Sequence, residues 1–131
     1  MISDHLIFDS TDVEVVLSSA GPSQDNDPEE QIRRLVTKKR TGHQHFSFHL
    51  LHFNANLEKD MRIWEEPELD GAEQTEVCYF ILSGSAEVEW NGNKRELRPG
   101  TVMCVAPHVE YVHRTGPQGM TMVVVVAPPF E

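Results

Sequence analysis

The sequence has 131 residues, of which 11 are Lys or Arg and 21 are Asp or Glu, so its formal net charge is -10. This length fits a single domain, 1–131, rather than two domains. The acidic excess repels phosphate groups and the longest basic run is Lys38-Lys39-Arg40, so nucleic acids and anionic membrane surfaces are excluded as expected partners. We therefore expect a small molecule or another protein as the partner.

The cysteine content and the N-terminal residues indicate the cellular compartment of the protein. Cys78 and Cys104 are too few for a disulfide framework and lack the spacing of a zinc site, which favours a reducing compartment. Residues 1–12 do not combine a basic region with an apolar core, and no apolar stretch approaches the roughly 18 residues that a membrane span needs. We therefore expect a cytoplasmic protein that is neither exported nor inserted into a membrane.

One short helix is predicted over about residues 28–39. Asp27 can accept the free amide hydrogens of a helix start, Pro28 has the φ of a first helical position, and Glu30 completes a capping box. Gly42 can end the helix behind a basic last turn. No other helix is expected.

The rest of the chain predicts strands and turns. Two β-prone runs at residues 6–8 and 13–17 precede a polar loop at 18–27. Asn91-Gly92-Asn93 predicts a tight hairpin, because Asn and Gly tolerate positive φ. So many short strands indicate an all-β sandwich or small barrel, with its core at about residues 43–129. The later predicted strands cover residues 44–54, 61–64, 77–82, 86–90, 102–105, 111–114 and 120–126.

Residues 65–76 form an acidic run that contains Pro67 and Gly71. Dense acidic runs are costly to bury, so this segment is interpreted as a solvated surface loop. The alternative is a mobile flap over a barrel mouth. Trp64, directly before the run, is either a hydrophobic seal or an aromatic wall for a ligand.

Four histidines, His43, His45, His49 and His52, lie within ten residues and suggest a metal site. On an extended strand, the first three of them share one face, where imidazoles can converge on a metal ion. A His-x-His pair alone is a weak signal. We therefore interpret His43 and His45 as half-exposed strand or loop histidines.

Several motifs follow one another in the second half of the chain. A strand ending at Gly84 is followed by the hairpin, by Pro99-Gly100-Thr101 and by strands that carry Tyr111 and His113. This order resembles the cupin superfamily. The resemblance implies a single-domain β-barrel of the jelly-roll type, a small-molecule site inside it and, commonly, a homodimer.

Within the cupins, the sequence resembles ectoine synthases over roughly residues 32–129. The resemblance rests on Phe46-Ser47-Phe48-His49, Pro99-Gly100-Thr101 and the closing Pro128-Pro129. It also implies that Arg33 lies near a substrate carboxylate, which a guanidinium can grip with two hydrogen bonds. The alternative for Arg33 is a solvated helix face.

Ectoine synthases are understood to hold iron through a Glu, a Tyr and a His. The resemblance aligns these positions with Val77, Met103 and Tyr111, none of which is a ligand of the same kind. Glu76 is one residue away and would point to the opposite face of its strand unless a bulge intervenes. We therefore expect no cofactor, and an iron or zinc enzyme with relocated histidine ligands ranks last.

His49, Tyr111 and His113 remain as polar residues on the face that the resemblance turns toward the cavity. A histidine can exchange a proton near neutral pH and a tyrosine can donate a hydrogen bond to an oxyanion, so these three predict a metal-free catalytic site. Such a site suits a lyase, isomerase or cyclase, and Tyr79 and Met103 are predicted to line its cavity. The alternatives are polar residues of the core and a non-catalytic, ligand-binding or sensing cupin.

Overall fold

The computed structural model describes residues 7–16, 30–61, 76–106 and 111–129. These residues contain a 3-10 turn at Ser10–Asp12, the helix α1 at Lys38–Thr41 and eight strands. None of the described helices is long and apolar enough to cross a membrane. The strands are β1 (Val15–Val16), β2 (Glu30–Val36), β3 (Ser47–Phe53), β4 (Glu58–Met61), β5 (Glu76–Trp90), β6 (Asn93–Leu97), β7 (Val102–Val105) and β8 (Tyr111–Ala127).

These eight strands form one antiparallel sheet in the order β1-β2-β3-β8-β5-β6, with β4 beside β8 and β7 beside β5. Each of the two longest strands, β5 and β8, pairs with one strand along its first part and with another strand along its last part. In β5, residues 77–80 pair with β7 and residues 86–90 pair with β6. In β8, residues 111–114 pair with β4 and residues 120–126 pair with β3. The sheet therefore folds over on itself and encloses a core, as in a jelly-roll barrel.

β5 and β8 approach each other closely where both strands turn. Register shifts interrupt their pairing around Gly84, whose φ is +76°. A Cβ atom at this position would collide with the carbonyl oxygen of Gly119. Only glycine fits there, which gives a physical reason for the glycine at this point of the predicted motif order.

Alternate residues of the strands fill the interior. In β5, Val77, Tyr79 and Ile81 are buried, whereas Cys78 and Phe80 between them are exposed. The fully buried apolar side chains come from β2, β3, β5 and β8, so the folded sheet has one shared core. The predicted all-β fold with one short helix is therefore confirmed. The largest of these apolar side chains are Ile32, Leu51, Phe53, Ile81, Met120 and Met122.

The helix predicted over residues 28–39 is wrong over most of its length, because Glu30–Val36 form β2 between β1 and β3. The pairing of β2 with β3 shifts register around Leu35, which indicates a bulge. As a result, Ile32 and Leu35 are both buried although they are three residues apart. A bulged strand here imitates the apolar spacing of a helix.

The short helix α1 begins later than predicted. The hydroxyl of Thr37, rather than Asp27, caps it by accepting the backbone N–H of Arg40 at 2.9 Å. Gly42 ends the helix with a φ of +86°, as predicted. Asp27 lies outside the described residues.

Most predicted strands are present, several as parts of longer ones. Asn91 and Gly92, with φ of +47° and +79°, form the predicted hairpin turn between Trp90 and Asn93. The predicted strand at residues 102–105 matches β7. Predicted strands that merge are 77–82 with 86–90 in β5, and 111–114 with 120–126 in β8.

The predictions for the N-terminal segment agree less well with the structure, and most of the acidic segment lies outside the described residues. Residues 7 and 8 of the first predicted strand are not in a strand, and β1 is shorter than the predicted run at 13–17. The polar loop at 18–27 lies outside the described residues. The same holds for residues 62–75, which include Trp64 and most of the acidic run.

Candidate functional site

A cavity of about 530 Å³ lies where β7 and β6 pair with successive parts of the same edge of β5. Most of its interior wall is apolar, and the buried Tyr111 is part of this wall. Met103, which the sequence predicts to face a ligand, belongs to this wall. The size and the lining suit a small molecule. The residues from the barrel interior that line it are Val88, Trp90, Leu97, Met103, Val105 and Tyr111.

Two buried tyrosines are hydrogen-bonded behind this wall. The hydroxyl of Tyr111 donates to the hydroxyl of Tyr79 at 3.0 Å, which joins the two ends of the folded sheet. Burial raises the pKa of Tyr79 to about 12, although the hydrogen bond from Tyr111 opposes this. Burial also raises the pKa of Tyr111 well above its usual value. Both hydroxyls are therefore protonated at neutral pH, with Tyr111 the donor of their shared hydrogen bond and Tyr79 the acceptor.

Glu30 faces the tyrosine pair and was missed by sequence reasoning. Its side chain is on the inner face of β2 and is 1% exposed. Its negative charge contributes to the raised pKa of both Tyr79 and Tyr111, because it disfavours a second negative charge nearby. The sequence interpretation placed Glu30 in a helix cap. Alternation with buried Ile32 was the only signal of its inward position.

His49 and His113 are buried on the inner face, each 1% exposed. The Nε2 atom of His49 lies 2.9 Å from the hydroxyl of Ser47. The ring of His113 packs edge-on against Phe53, with the ring centroids 4.5 Å apart. Neither histidine lines the cavity, whereas Tyr111 does. Of the three predicted catalytic residues, all point inward and one reaches the cavity, so their joint role stays a prediction.

Arg33 lies on a strand rather than on the predicted helix, and its guanidinium points away from the large cavity. Its Nη1 atom donates to the carbonyl oxygen of Val13 at 2.6 Å. Arg33 also lines a separate recess of about 50 Å³. Strand alternation places Arg34 instead on the inner face, opposite His49 in the register.

The residues present do not fit the iron site that the resemblance implies. Val77 is buried at the inner position of β5, and Glu76 beside it is exposed. Within the described ranges, no three His, Cys, Asp or Glu side chains gather in a way that could hold a metal ion. His43 has its Nδ1 atom 2.8 Å from the Thr41 hydroxyl, and His45 is exposed.

No protein-family model and no curated protein matches the sequence. Several solved structures do match in fold. An ectoine synthase from P. lautus has a TM-score of 0.71 at 17% identity, covering 95% of this chain and 79% of that chain. The polyketide cyclase RemF from Streptomyces resistomycificus has a TM-score of 0.68 at 18% identity, with the same two coverages of 95% and 79%.

An RmlC-like cupin from Shewanella frigidimarina has a TM-score of 0.64 at 16% identity, covering 96% of this chain and 92% of that chain. These likenesses extend over nearly the whole chain. The chain therefore shares the β-barrel fold of these solved structures, one of which is an RmlC-like cupin.

Proposed function

We propose that the protein binds a small polar metabolite in the large cavity and that the Tyr111 hydroxyl is its polar anchor. The observation that carries the proposal is that Tyr111 lines a cavity of about 530 Å³ and is held by a hydrogen bond to Tyr79. Met103 and Trp90 supply apolar wall for the rest of the ligand. The single proton of the Tyr111 hydroxyl is donated to Tyr79 in the structure, so a carbonyl or carboxylate oxygen of the ligand is bound by reversing this bond: Tyr79 donates to Tyr111, and Tyr111 donates to the ligand.

The same arrangement supports a second candidate function, the catalysis of a reaction on the bound ligand. Once the bond to Tyr79 has reversed, the neutral Tyr111 can donate to a ligand oxygen that gains negative charge. Loss of such a donor typically costs about 100- to 1000-fold in rate. This suits a metal-independent lyase, isomerase or cyclase. Two solved structures of this fold support this class, since one is an ectoine synthase and the other a polyketide cyclase. A ligand-binding or sensing cupin without turnover is the alternative.

Ligand screening tests the binding proposal. Small carboxylates, ketones and amides are screened by thermal shift, and the affinity of any stabilising compound is measured by calorimetry. Tyr111→Phe should weaken that affinity roughly tenfold, the equivalent of one hydrogen bond. Thr121→Val is the matched control, because it removes a hydroxyl from the same strand that is bonded to His52, away from the cavity. Unchanged affinity in Tyr111→Phe would contradict the proposal.

Turnover of the identified ligand distinguishes the enzyme from the binding protein. If His49 or His113 acts as a base, activity should rise with pH through the pKa of that histidine. The matching variant, His49→Gln or His113→Gln, should lose roughly 100-fold or more in rate and keep most of the ligand affinity. If both variants retain full turnover, the acid/base assignment of the histidines fails.

The proposed site works without a metal ion. Protein purified without chelator and without a nickel column should contain well below one equivalent of transition metal, as measured by mass spectrometry. Val77 and Met103 offer no ligand of the kind that iron or zinc requires. Stoichiometric iron or zinc would contradict this expectation. A homodimer remains an expectation from the cupin resemblance, to be tested by light scattering.

A further inference from the structure

β5 and β7 place two thiols side by side on the outer face of the sheet. Cys78 and Cys104 are direct partners in the antiparallel register, and both are exposed. Their Sγ atoms are 3.3 Å apart, with the thiol of Cys78 donating to the sulfur of Cys104. Directly opposed residues in an antiparallel pair have Cα atoms about 4.5–5.5 Å apart, within the range that a disulfide spans. An S–S bond between them therefore requires no shift of either strand.

We propose that Cys78 and Cys104 form a reversible dithiol–disulfide pair that exchanges with low-molecular-weight disulfides. The thiolate of Cys104 attacks one sulfur of the small disulfide, whose S–S bond breaks and releases a first thiol. The thiolate of Cys78 then attacks the sulfur of Cys104 and releases the second thiol. Two protein thiols are oxidised to one disulfide, the small disulfide is reduced to two thiols, and the two cysteine protons end on those thiols.

The hydrogen bond between the thiols determines the order of attack. The bond to Cys104 raises the pKa of the Cys78 thiol, and the charge of Glu76 adds to this effect. Cys78 therefore keeps its proton, which it donates to the sulfur of Cys104. Cys104 is the attacking residue and Cys78 the resolving residue.

The disulfide would restrain β7, which forms part of the wall of the large cavity. The two cysteines are 26 positions apart, and the chain between them includes the β5–β6 hairpin and the start of β7. β7 contributes Met103 and Val105 to the cavity wall. Oxidation therefore ties this part of the wall to β5 by a covalent bond, and reduction releases it. This chemistry requires no ligand in the cavity and is independent of the proposed function.

The test uses the reduced full-length protein and glutathione disulfide. Thiol titration should find two reactive thiols before the reaction and none after it. Intact mass spectrometry should show the loss of two hydrogen masses, without a retained glutathione adduct and without a covalent dimer. Dithiothreitol should restore both thiols. A stable glutathione adduct, an intermolecular disulfide or thiols that do not react in the native protein would each overturn the proposal.

Single and relocated thiols provide the controls. Cys78→Ser and Cys104→Ser should each retain one glutathione adduct, because no second thiol can displace it. The matched control combines Cys104→Ser with Val102→Cys, which keeps two exposed thiols on the same strands. Position 102 is opposite Phe80, so its thiol is diagonal to Cys78 and too distant for a bridge. This variant should retain an adduct on each cysteine; internal closure as complete as in the native pair would overturn the assigned geometry.

Discussion

Cys78 and Tyr79 are consecutive residues of β5 and have opposite surroundings. Tyr79 is 2% exposed, and burial is the largest cause of its raised pKa. Cys78 is exposed, and its raised pKa is due first to the hydrogen bond with Cys104. On the inner face of the strand, the pKa is therefore shifted mainly by the exclusion of water, whereas on the outer face it is shifted first by a hydrogen bond to a neighbouring side chain. The pleat of a single strand separates two kinds of chemistry.

The same contrast recurs in β8. His113 is buried against Phe53, while Arg114, the next residue, lies on the outer face. The guanidinium of Arg114 lies 2.9 Å from carboxylate oxygens of Glu58 and Glu89. Removal of an inner-face group should therefore affect stability and binding, whereas removal of an outer-face group should have little effect on either.

The largest expected effect comes from disturbing the turn that aligns the two ends of the sheet. Gly84→Ala should lower the free energy of unfolding by about 3–5 kcal/mol, because the methyl group adds a collision with the backbone of Gly119 to the strain of positive φ. Gly92→Ala is the matched control, since Gly92 also has positive φ but a methyl group there would meet no atom within 4 Å. It should cost about 1 kcal/mol. Equal losses in urea unfolding would show that the close approach of β5 and β8 is unimportant.

The tyrosine pair should give the next largest effect. Tyr111→Phe or Tyr79→Phe alone should each cost about 1–3 kcal/mol in urea unfolding, because each leaves a buried hydroxyl without its partner. The double variant should cost less than the sum of the two, with a coupling energy of about 1 kcal/mol. Additive losses would indicate that the two hydroxyls do not interact.

Alkaline pH should lower the free energy of unfolding through the buried Tyr79 on the inner face. An unfolded tyrosine loses its proton near pH 10, whereas folded Tyr79 keeps its proton until about 12. The unfolded state therefore binds fewer protons in this interval, and stability falls as pH rises from about 10 to about 12. Between pH ~8 and ~11, the wild type should lose about 1 kcal/mol more than Tyr79→Phe in urea unfolding. Equal losses would contradict the buried, neutral state of Tyr79.

The smallest expected effect is on the outer face. Arg114→Gln should change the melting temperature by no more than about 1 °C, because its ion pairs with Glu58 and Glu89 are in contact with solvent. Any difference from the wild type should vanish at high salt. A large loss of stability that persists in high salt would show that this face also contributes to the core.

Period-two alternation, together with the cupin resemblance, predicted the inward positions of Tyr79, Tyr111 and His113, and all three are buried. It failed at β2, where the bulge around Leu35 produces a helical spacing of buried residues. Glu30 was missed for the same reason, since a helix puts it in a cap and a strand puts it in the core. The contact of Cys78 with Cys104 depends on strand register, which the spacing of the two residues does not reveal.

The ionisation of the two tyrosines tests the central claim most directly. The chain contains only these two, Tyr79 and Tyr111, so protein labelled with carbon-13 at the tyrosine ring carbon that bears the oxygen gives two signals. We expect neither chemical shift to titrate below pH ~10, because both hydroxyls are buried and neutral. A signal that titrates at or below pH ~10 would place that hydroxyl in water and contradict the buried donor pair on which the proposed site depends.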